Sequence, residues 1–313
     1  MTTALTVKNL TRVYPGGGGV RGIGFTADER AVTAVIGPNG AGKTVLFSII
    51  AGLAQAESGT VDFTSPKARV AYCPDVPQFE SWLTALEVVE TSLAVSREST
   101  GRARIARGTG DTGGDGFARG ALEACGLGPV MNRRVADFSR GMLQRLGIAA
   151  ALATDPEILI LDEPNSALDP IGRADVRDII TEQKRHRCIL LSSHLLSEVE
   201  QLADHIVVID QGRVVTQGTT ASILTDDLEP VWTIRLGAPA QISAADLAVA
   251  VPEACFEFET DTLCTARFRS FEAAATGLMT ALHIFRSPII EVTLRDRDLD
   301  ASFARIVQNQ EHR

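Results

Sequence analysis

Aromatic residues are scarce. Phe, Trp and Tyr make up 5% of the 313 residues, so a core has to be built from Ala, Val, Leu and Ile. Positive charge is in deficit too. The net charge of −9 argues against a protein whose main partner is a nucleic-acid backbone, while leaving room for a local basic patch. No apolar run approaches the ~20 residues that a membrane-spanning helix needs, so no span is expected. The opening residues, MTTALTVKNL, lack the basic-then-apolar order of a secretion leader, and no signal peptide is expected. Cysteine is confined to Cys73, Cys125, Cys188, Cys255 and Cys264, without a C-x-x-C pair. Reduced, mostly buried thiols are the expectation. Cys255 and Cys264 fall on neighbouring predicted strands and could meet, but no bridge is expected.

What is present is the composition of a globular protein. Hydrophobic residues at 45% and charged residues at 22% allow a real core, and the length suits one large domain or two ordinary ones. Residues 4–36 read as short strands, with ALTVKNLTRVY alternating apolar and polar, followed by GFTAD and AVTAVIG. KTVLFSIIAGL has helical spacing and stops at Gly52. Helices are expected over 82–95, 118–126 and 140–153. The stretch RESTGRARIARGTGDTGGDG, residues 97–116, is almost devoid of apolar residues and reads as a flexible surface loop. Further on, ILILD, CILLSS and HIVVID are continuous apolar runs alternating with polar helical segments at about 172–184 and 196–203. That alternation signifies a parallel sheet covered on both faces. GRVVTQG reads as a short antiparallel strand, and TTASIL opens a last helix of this block.

Composition breaks near TDDLEP, residues 225–230. Beyond it the periodicity predicts strand 231–236, helix 243–250, strands 255–259 and 263–268, helix 271–285, strand 289–294 and helix 299–308. The order βαββαβ with a trailing helix suits a small ferredoxin-like domain.

Chemistry concentrates in three places. Gly37, Gly42, Lys43 and Thr44, in GPNGAGKT, fit G-x-x-x-x-G-K-[ST] between a predicted strand and a predicted helix. Glycines let backbone N–H groups surround a phosphate, and the helix start adds its positive end. Lys43 would reach the outer phosphates, and the Thr44 hydroxyl would hold Mg²⁺. EILILDEP places Asp162 and Glu163 at the end of an apolar strand, where two charges need a cation or a tight hydrogen-bonded partner. Asp162 can serve the Mg²⁺ shell, and Glu163, facing elsewhere, can polarise a water. In DFSRGMLQRLGIAAALA, Ser139 stands one residue ahead of a helical pattern, the favoured cap position.

In this order, the motifs make residues 1–225 resemble the nucleotide-binding subunits of ABC transporters. GPNGAGKT looks like the Walker A loop, FSRGMLQR like the family signature, ILILDEP like Walker B and SALD like the D-loop; LLSSH resembles the switch strand, ending at His194. Tyr14, in TRVYPG, matches the aromatic that stacks on adenine. The resemblance implies an α/β P-loop NTPase fold with an antiparallel β subdomain, a parallel α/β core and a helical subdomain at about 78–153. The small α+β ferredoxin-like domain would follow over 231–313.

It also implies ATP held with Mg²⁺ between two subunits, a homodimer being expected, and a separate transmembrane permease driven by closure of that pair. Gly37, Pro38, Asn39, Gly40, Ala41, Gly42, Lys43, Thr44 and Val45 would surround phosphate. Thr44, Asp75 and Asp162 would serve the metal, Glu163 would activate the attacking water, and His194 would contact the γ-phosphate. Ser139, Arg140, Gly141 and Met142 would act across the interface, and Asp169 would couple the two sites. This chain departs from the family pattern at Asp75, where glutamine is frequent, and at Arg140 and Met142 in the signature; similar signatures occur in the drug-exporter branch. Phe79 and Trp82 either face the membrane subunit or fill the helical subdomain. An exporter ATPase at the cytoplasmic face of the membrane is the leading expectation. The rivals are a soluble ABC ATPase acting on nucleic acid or ribosomes, and a nucleotide-sensing module that does not hydrolyse.

Overall fold

A computed structural model of the chain describes residues 2–99, 113–166, 168–194, 196–225 and 229–294. The chain divides into two compact units, Met1–Thr220 and Ala221–Arg313. Each has its own apolar core.

The first unit opens with three antiparallel strands. β1 (Thr3–Val13) lies between β2 (Gly19–Asp28) and β4 (Ser58–Phe63). β1 and β2 alternate buried and exposed residues because one face meets the core. β4 has no such signature: its residues SGTVDF include no strong apolar pattern, and only pairing with β1 makes it a strand.

A second sheet of six strands runs in the order β5-β6-β7-β3-β8-β9. β3 (Val32–Ile36), β5 (Val70–Cys73), β6 (Ile158–Leu161), β7 (Cys188–Ser193) and β8 (His205–Asp210) are parallel, and β9 (Arg213–Thr219) returns antiparallel. Every residue of β3, β6 and β7 is buried, as a strand covered on both faces requires. Helix α1 (Lys43–Ile50) follows β3.

Helices α2 (Ala85–Ser99), α3 (Gly113–Ala124) and α4 (Arg140–Ala153) pack on one another. The expected loop over 97–116 is corrected at both ends: residues 97–99 close α2, and 113–116 open α3 despite three glycines. Packing of α3 against α2 and α4 overrides the weak helical propensity of that glycine-rich start. Residues 100–112 lie outside the described residues. α5 (Pro170–Gln183) and α6 (Leu196–Val199) complete the core, the latter shorter than the expected 196–203, and α7 (Thr220–Thr225) follows β9.

In the second unit β10 (Val231–Leu236), α8 (Ala244–Ala250), β11 (Ala254–Thr260), β12 (Leu263–Phe268), α9 (Phe271–Ile284) and β13 (Ile289–Leu294) follow in turn. Their sheet is antiparallel in the order β11-β12-β10-β13. That is the strand arrangement of a split βαβ domain. Trp232, Phe256 and Phe268 meet edge to face in its core. The expected helix 299–308 lies outside the described residues. All five cysteines are free. Cys264 pairs in register with Phe258, not with Cys255, which is exposed. Burial pushes the Cys188 thiol up to about 12 and that of Cys264 to about 11, so both stay protonated at neutral pH.

Candidate functional site

The C-terminal ends of β3, β6 and β7 converge, the place where open α/β sheets hold ligands. The loop after β3 turns over the sheet end and α1 begins at Lys43. Gly42 closes that loop at φ 104°, and a Cβ there would stand 2.5 Å from the Gly19 carbonyl oxygen, so glycine is obligatory. The N–H of Gly37 donates to the Ser193 carbonyl at 3.3 Å, tying the loop to the end of β7. Asn39, Gly40 and Thr44 are exposed, Ala41 is buried, and Val45 packs against the core. Lys43 is only 6% exposed. Its ammonium donates to the carbonyls of Gly37 at 2.7 Å and Pro38 at 3.3 Å, and lies 3.0 Å from Glu163 Oε1.

The acidic pair sits two strands away in the sheet, with β7 between. Asp162 is 1% exposed. Its carboxylate accepts from Ser192 Oγ at 2.6 Å and from the Tyr72 hydroxyl at 3.1 Å. Burial, then the charge of Asp162, pushes the Tyr72 phenol well above its usual range, so it remains a donor. Glu163 adopts φ 46°, a left-handed conformation that typically costs ~1–3 kcal/mol and recurs at functional sites. Its N–H donates to Ser192 Oγ at 2.7 Å. Its carboxylate returns over the sheet end, Oε2 lying 2.9 Å from His194 Nδ1. Oε1 makes an ion pair with Lys43 but has no aligned hydrogen-bond donor, although it is buried.

Lys43, Asp162, Glu163 and His194 are therefore brought together by hydrogen bonds and ion pairs. The other expected residues occupy distinct places. Asp75, after β5, accepts a hydrogen bond from Ser166, in the segment that follows Glu163. Ser139 caps α4, its hydroxyl accepting from the Met142 N–H at 3.3 Å, with Arg140 and Gly141 in the first turn. Asp169 caps α5, accepting from the Gly172 N–H at 2.7 Å. Tyr14 stands at the end of β1, exposed. Trp82 is 64% exposed, so it does not fill the helical bundle, whereas Phe79 is half-buried.

Two members of the network escape sequence reasoning. Ser192 orients both acids, and Tyr72 holds the second oxygen of Asp162. The available signal was a hydroxyl residue inside CILLSS, an otherwise continuous apolar run.

These residues fit a polyphosphate with a hard divalent cation. A buried ammonium rests on carbonyls and one carboxylate at the mouth of a helix, a resting set that a phosphate can replace. Glu163 Oε1, paired with the Lys43 ammonium but without an aligned hydrogen-bond donor, keeps lone-pair capacity that can accept from a water once Lys43 turns to phosphate. Asp162 and the Thr44 hydroxyl offer oxygens of the kind that Mg²⁺ favours when phosphate supplies others.

The ABC transporter family model matches residues 20–166. The lantibiotic transport ATP-binding protein SrtF of Streptococcus pyogenes is 36% identical over 223 residues, 68% of this chain and 90% of that protein. The daunorubicin/doxorubicin resistance ATP-binding protein DrrA of Streptomyces peucetius is 32% identical over 245 residues, 75% and 71% of the two chains. Among solved structures, the ADP conformation of MJ1267, an ATP-binding cassette of an ABC transporter, aligns with a TM-score of 0.62 at 24% identity, covering 72% of this chain and 96% of that one. Fold, motif order and relatives converge: this chain belongs to the ABC transporter family, as one of its ATP-binding, ATP-hydrolysing subunits.

Proposed function

We propose that this ATPase powers export of drug-like or antibiotic molecules through a separate membrane-spanning permease, working as a homodimer at the cytoplasmic face of the membrane. An ABC ATP-binding subunit works with a membrane permease, and none of the described helices is long and apolar enough to cross a bilayer. Support for the cargo class comes from relatives whose names specify lantibiotic transport and daunorubicin/doxorubicin resistance.

The observation that carries the catalytic reading is the Lys43–Glu163–His194 constellation over Asp162. On ATP entry, Lys43 exchanges Glu163 for the outer phosphate oxygens, with N–H groups of residues 37–45 around the phosphates. Tyr14 stacks on adenine. Thr44 and Asp162, with Asp75 in the outer sphere, would hold Mg²⁺, which neutralises charge on the phosphates. Glu163, released from Lys43, accepts a proton from water as the water oxygen bonds to the γ-phosphorus. The bond from that phosphorus to the β–γ bridging oxygen breaks, leaving ADP and phosphate. His194 steadies Glu163 and donates to the γ-phosphate. Each chain carries one phosphate loop and one Ser139–Met142 helix start, so the latter completes the site of a second copy, and Asp169 couples the two.

Purified protein is expected to hydrolyse ATP with Mg²⁺, and Glu163→Gln is expected to lower turnover by ~10²–10⁴-fold, the usual contribution of a general base. Full activity in that variant removes Glu163 from its role. Cells expressing the chain with its co-purifying membrane partner are expected to tolerate more daunorubicin or peptide antibiotic than cells with Glu163→Gln. Equal tolerance removes the export reading.

A further inference from the structure

The turn that carries Tyr14 is wired to the phosphate loop through a third segment. Tyr14 N–H donates to the Gly18 carbonyl at 2.9 Å, and Gly17 N–H donates to the Tyr14 carbonyl at 2.8 Å. Four consecutive glycines, Gly16–Gly19, leave this turn with little conformational preference of its own. The β1–β2 pairing holds its two ends, with Val13 opposite Gly19, and a further tie comes from outside the hairpin. Arg21, on β2, donates through Nη2 to the Gly17 carbonyl and through Nη1 to the Gln211 carbonyl at 3.0 Å. The Arg21 backbone N–H donates to the Gly212 carbonyl at 2.7 Å, and the Gly212 N–H donates to the Ala41 carbonyl, within the phosphate loop, at 3.0 Å. Gly212 has φ 78°, and a Cβ there would lie 2.4 Å from the Gly19 carbonyl oxygen. The backbone at both Gly212 and Gly42 thus approaches the Gly19 carbonyl oxygen too closely for a side chain. A cleft of about 470 Å³ opens along this seam, bordered by Gly17–Gly19, Gly40 and Arg213. From β1, Arg12 Nε donates to the Tyr14 hydroxyl at 2.8 Å, with its guanidinium 4.8 Å from the ring centre.

We infer that Arg21 is a positioning residue for the nucleotide base: by bridging the Gly17 and Gln211 carbonyls it fixes the Tyr14 ring at a set distance from the phosphate loop. The inference rests on the reading of Tyr14 as the adenine platform. A planar, permanently charged fork can join two carbonyls at once, which a lysine ammonium on a flexible stem does poorly. With the brace in place, the glycine turn is ordered before ATP arrives, and binding does not bear that ordering cost. Without it the phosphates still find their loop, but the base loses its platform.

The experiment measures affinities of the full chain for ATP and for inorganic tripolyphosphate, with Mg²⁺, by titration calorimetry. Tyr14→Ala, Arg21→Ala, Arg21→Lys and the Tyr14/Arg21 double alanine variant are compared with the parent. Arg21→Ala is expected to weaken ATP about tenfold, because binding then bears the cost of ordering the freed turn, and to leave tripolyphosphate within about twofold. Arg21→Lys should fall between parent and alanine, and it carries the test should Arg21→Ala fail to fold. The double variant should lose no more than Tyr14→Ala alone, because both act through one ring. An equal loss for both ligands makes Arg21 a mere support of the phosphate loop and overturns the inference, as does unchanged ATP affinity while Tyr14→Ala weakens it. ATP affinity unchanged in Tyr14→Ala refutes the stacking role itself, and the inference with it.

Discussion

Ser192 shows how much of the site is set by one hydroxyl. It donates to Asp162, accepts from the Glu163 N–H, and is itself buried at the end of β7. Removing it leaves a buried carboxylate one donor short and a backbone N–H without a partner. Ser192→Ala is therefore expected to cost roughly 1–3 kcal/mol of stability, the usual penalty for buried groups left unsatisfied. Because Glu163 loses its anchor while the phosphate loop is untouched, kcat should fall more than KM for ATP rises. Denaturant titration together with steady-state ATPase kinetics checks both, and unchanged kcat would show that Glu163 is oriented without Ser192. Arg21 belongs to the same class of residue, acting on the ligand only through the group it holds.

Among the elements, α4 carries the capped helix start and also packs beside the strand that leads to Asp75. Its capped start carries Ser139–Met142, and its middle lies against the segment after β5 that contains Asp75. Gly147 makes that approach: a Cβ there would stand 2.6 Å from Pro77 Cγ and 2.9 Å from Cys73 Sγ. Pro77 and Cys73 are both buried and have little room to yield. Gly147→Ala is expected to destabilise by ~1–3 kcal/mol through overpacking, against the small gain that alanine otherwise brings to a helix interior. A lowered Tm in thermal unfolding checks the sign. A raised Tm would mean that the segment after β5 moves aside freely. This contact was not legible in the sequence, where Gly147 reads as a helical residue of low propensity. The cap at Ser139 was legible, since an N-cap is a local arrangement of four residues.

At the scale of the whole molecule, among the described residues each unit has an apolar core that shares no residue with the other's, one of mixed sheet and helix and one under a four-stranded sheet. All residues of the phosphate site belong to the first unit. Calorimetry is expected to resolve two transitions, and MgATP is expected to shift only the one from the first unit. At a ligand concentration of about 100 times Kd, that shift corresponds to roughly 2.7 kcal/mol. A single transition that moves as a whole on adding MgATP would show that the two cores unfold together.

The sequence by itself determined the phosphate loop, the order of the motifs, the buried strands and the βαββαβ pattern of the second unit. Each is encoded in residues close together in the chain: glycines that a turn needs, apolar runs that a covered strand needs, a hydroxyl one position before a helix. Only the tertiary structure decided that β4 is a strand, that 97–99 and 113–116 are helical, and that Trp82 faces solvent. It also revealed Ser192 and Tyr72 around Asp162, and Arg21 spanning 190 residues of chain to reach Gln211. The reason is common to all of these: pairing with a partner strand, packing between helices and bonding to a distant carbonyl depend on neighbours that folding brings together, which no local pattern records.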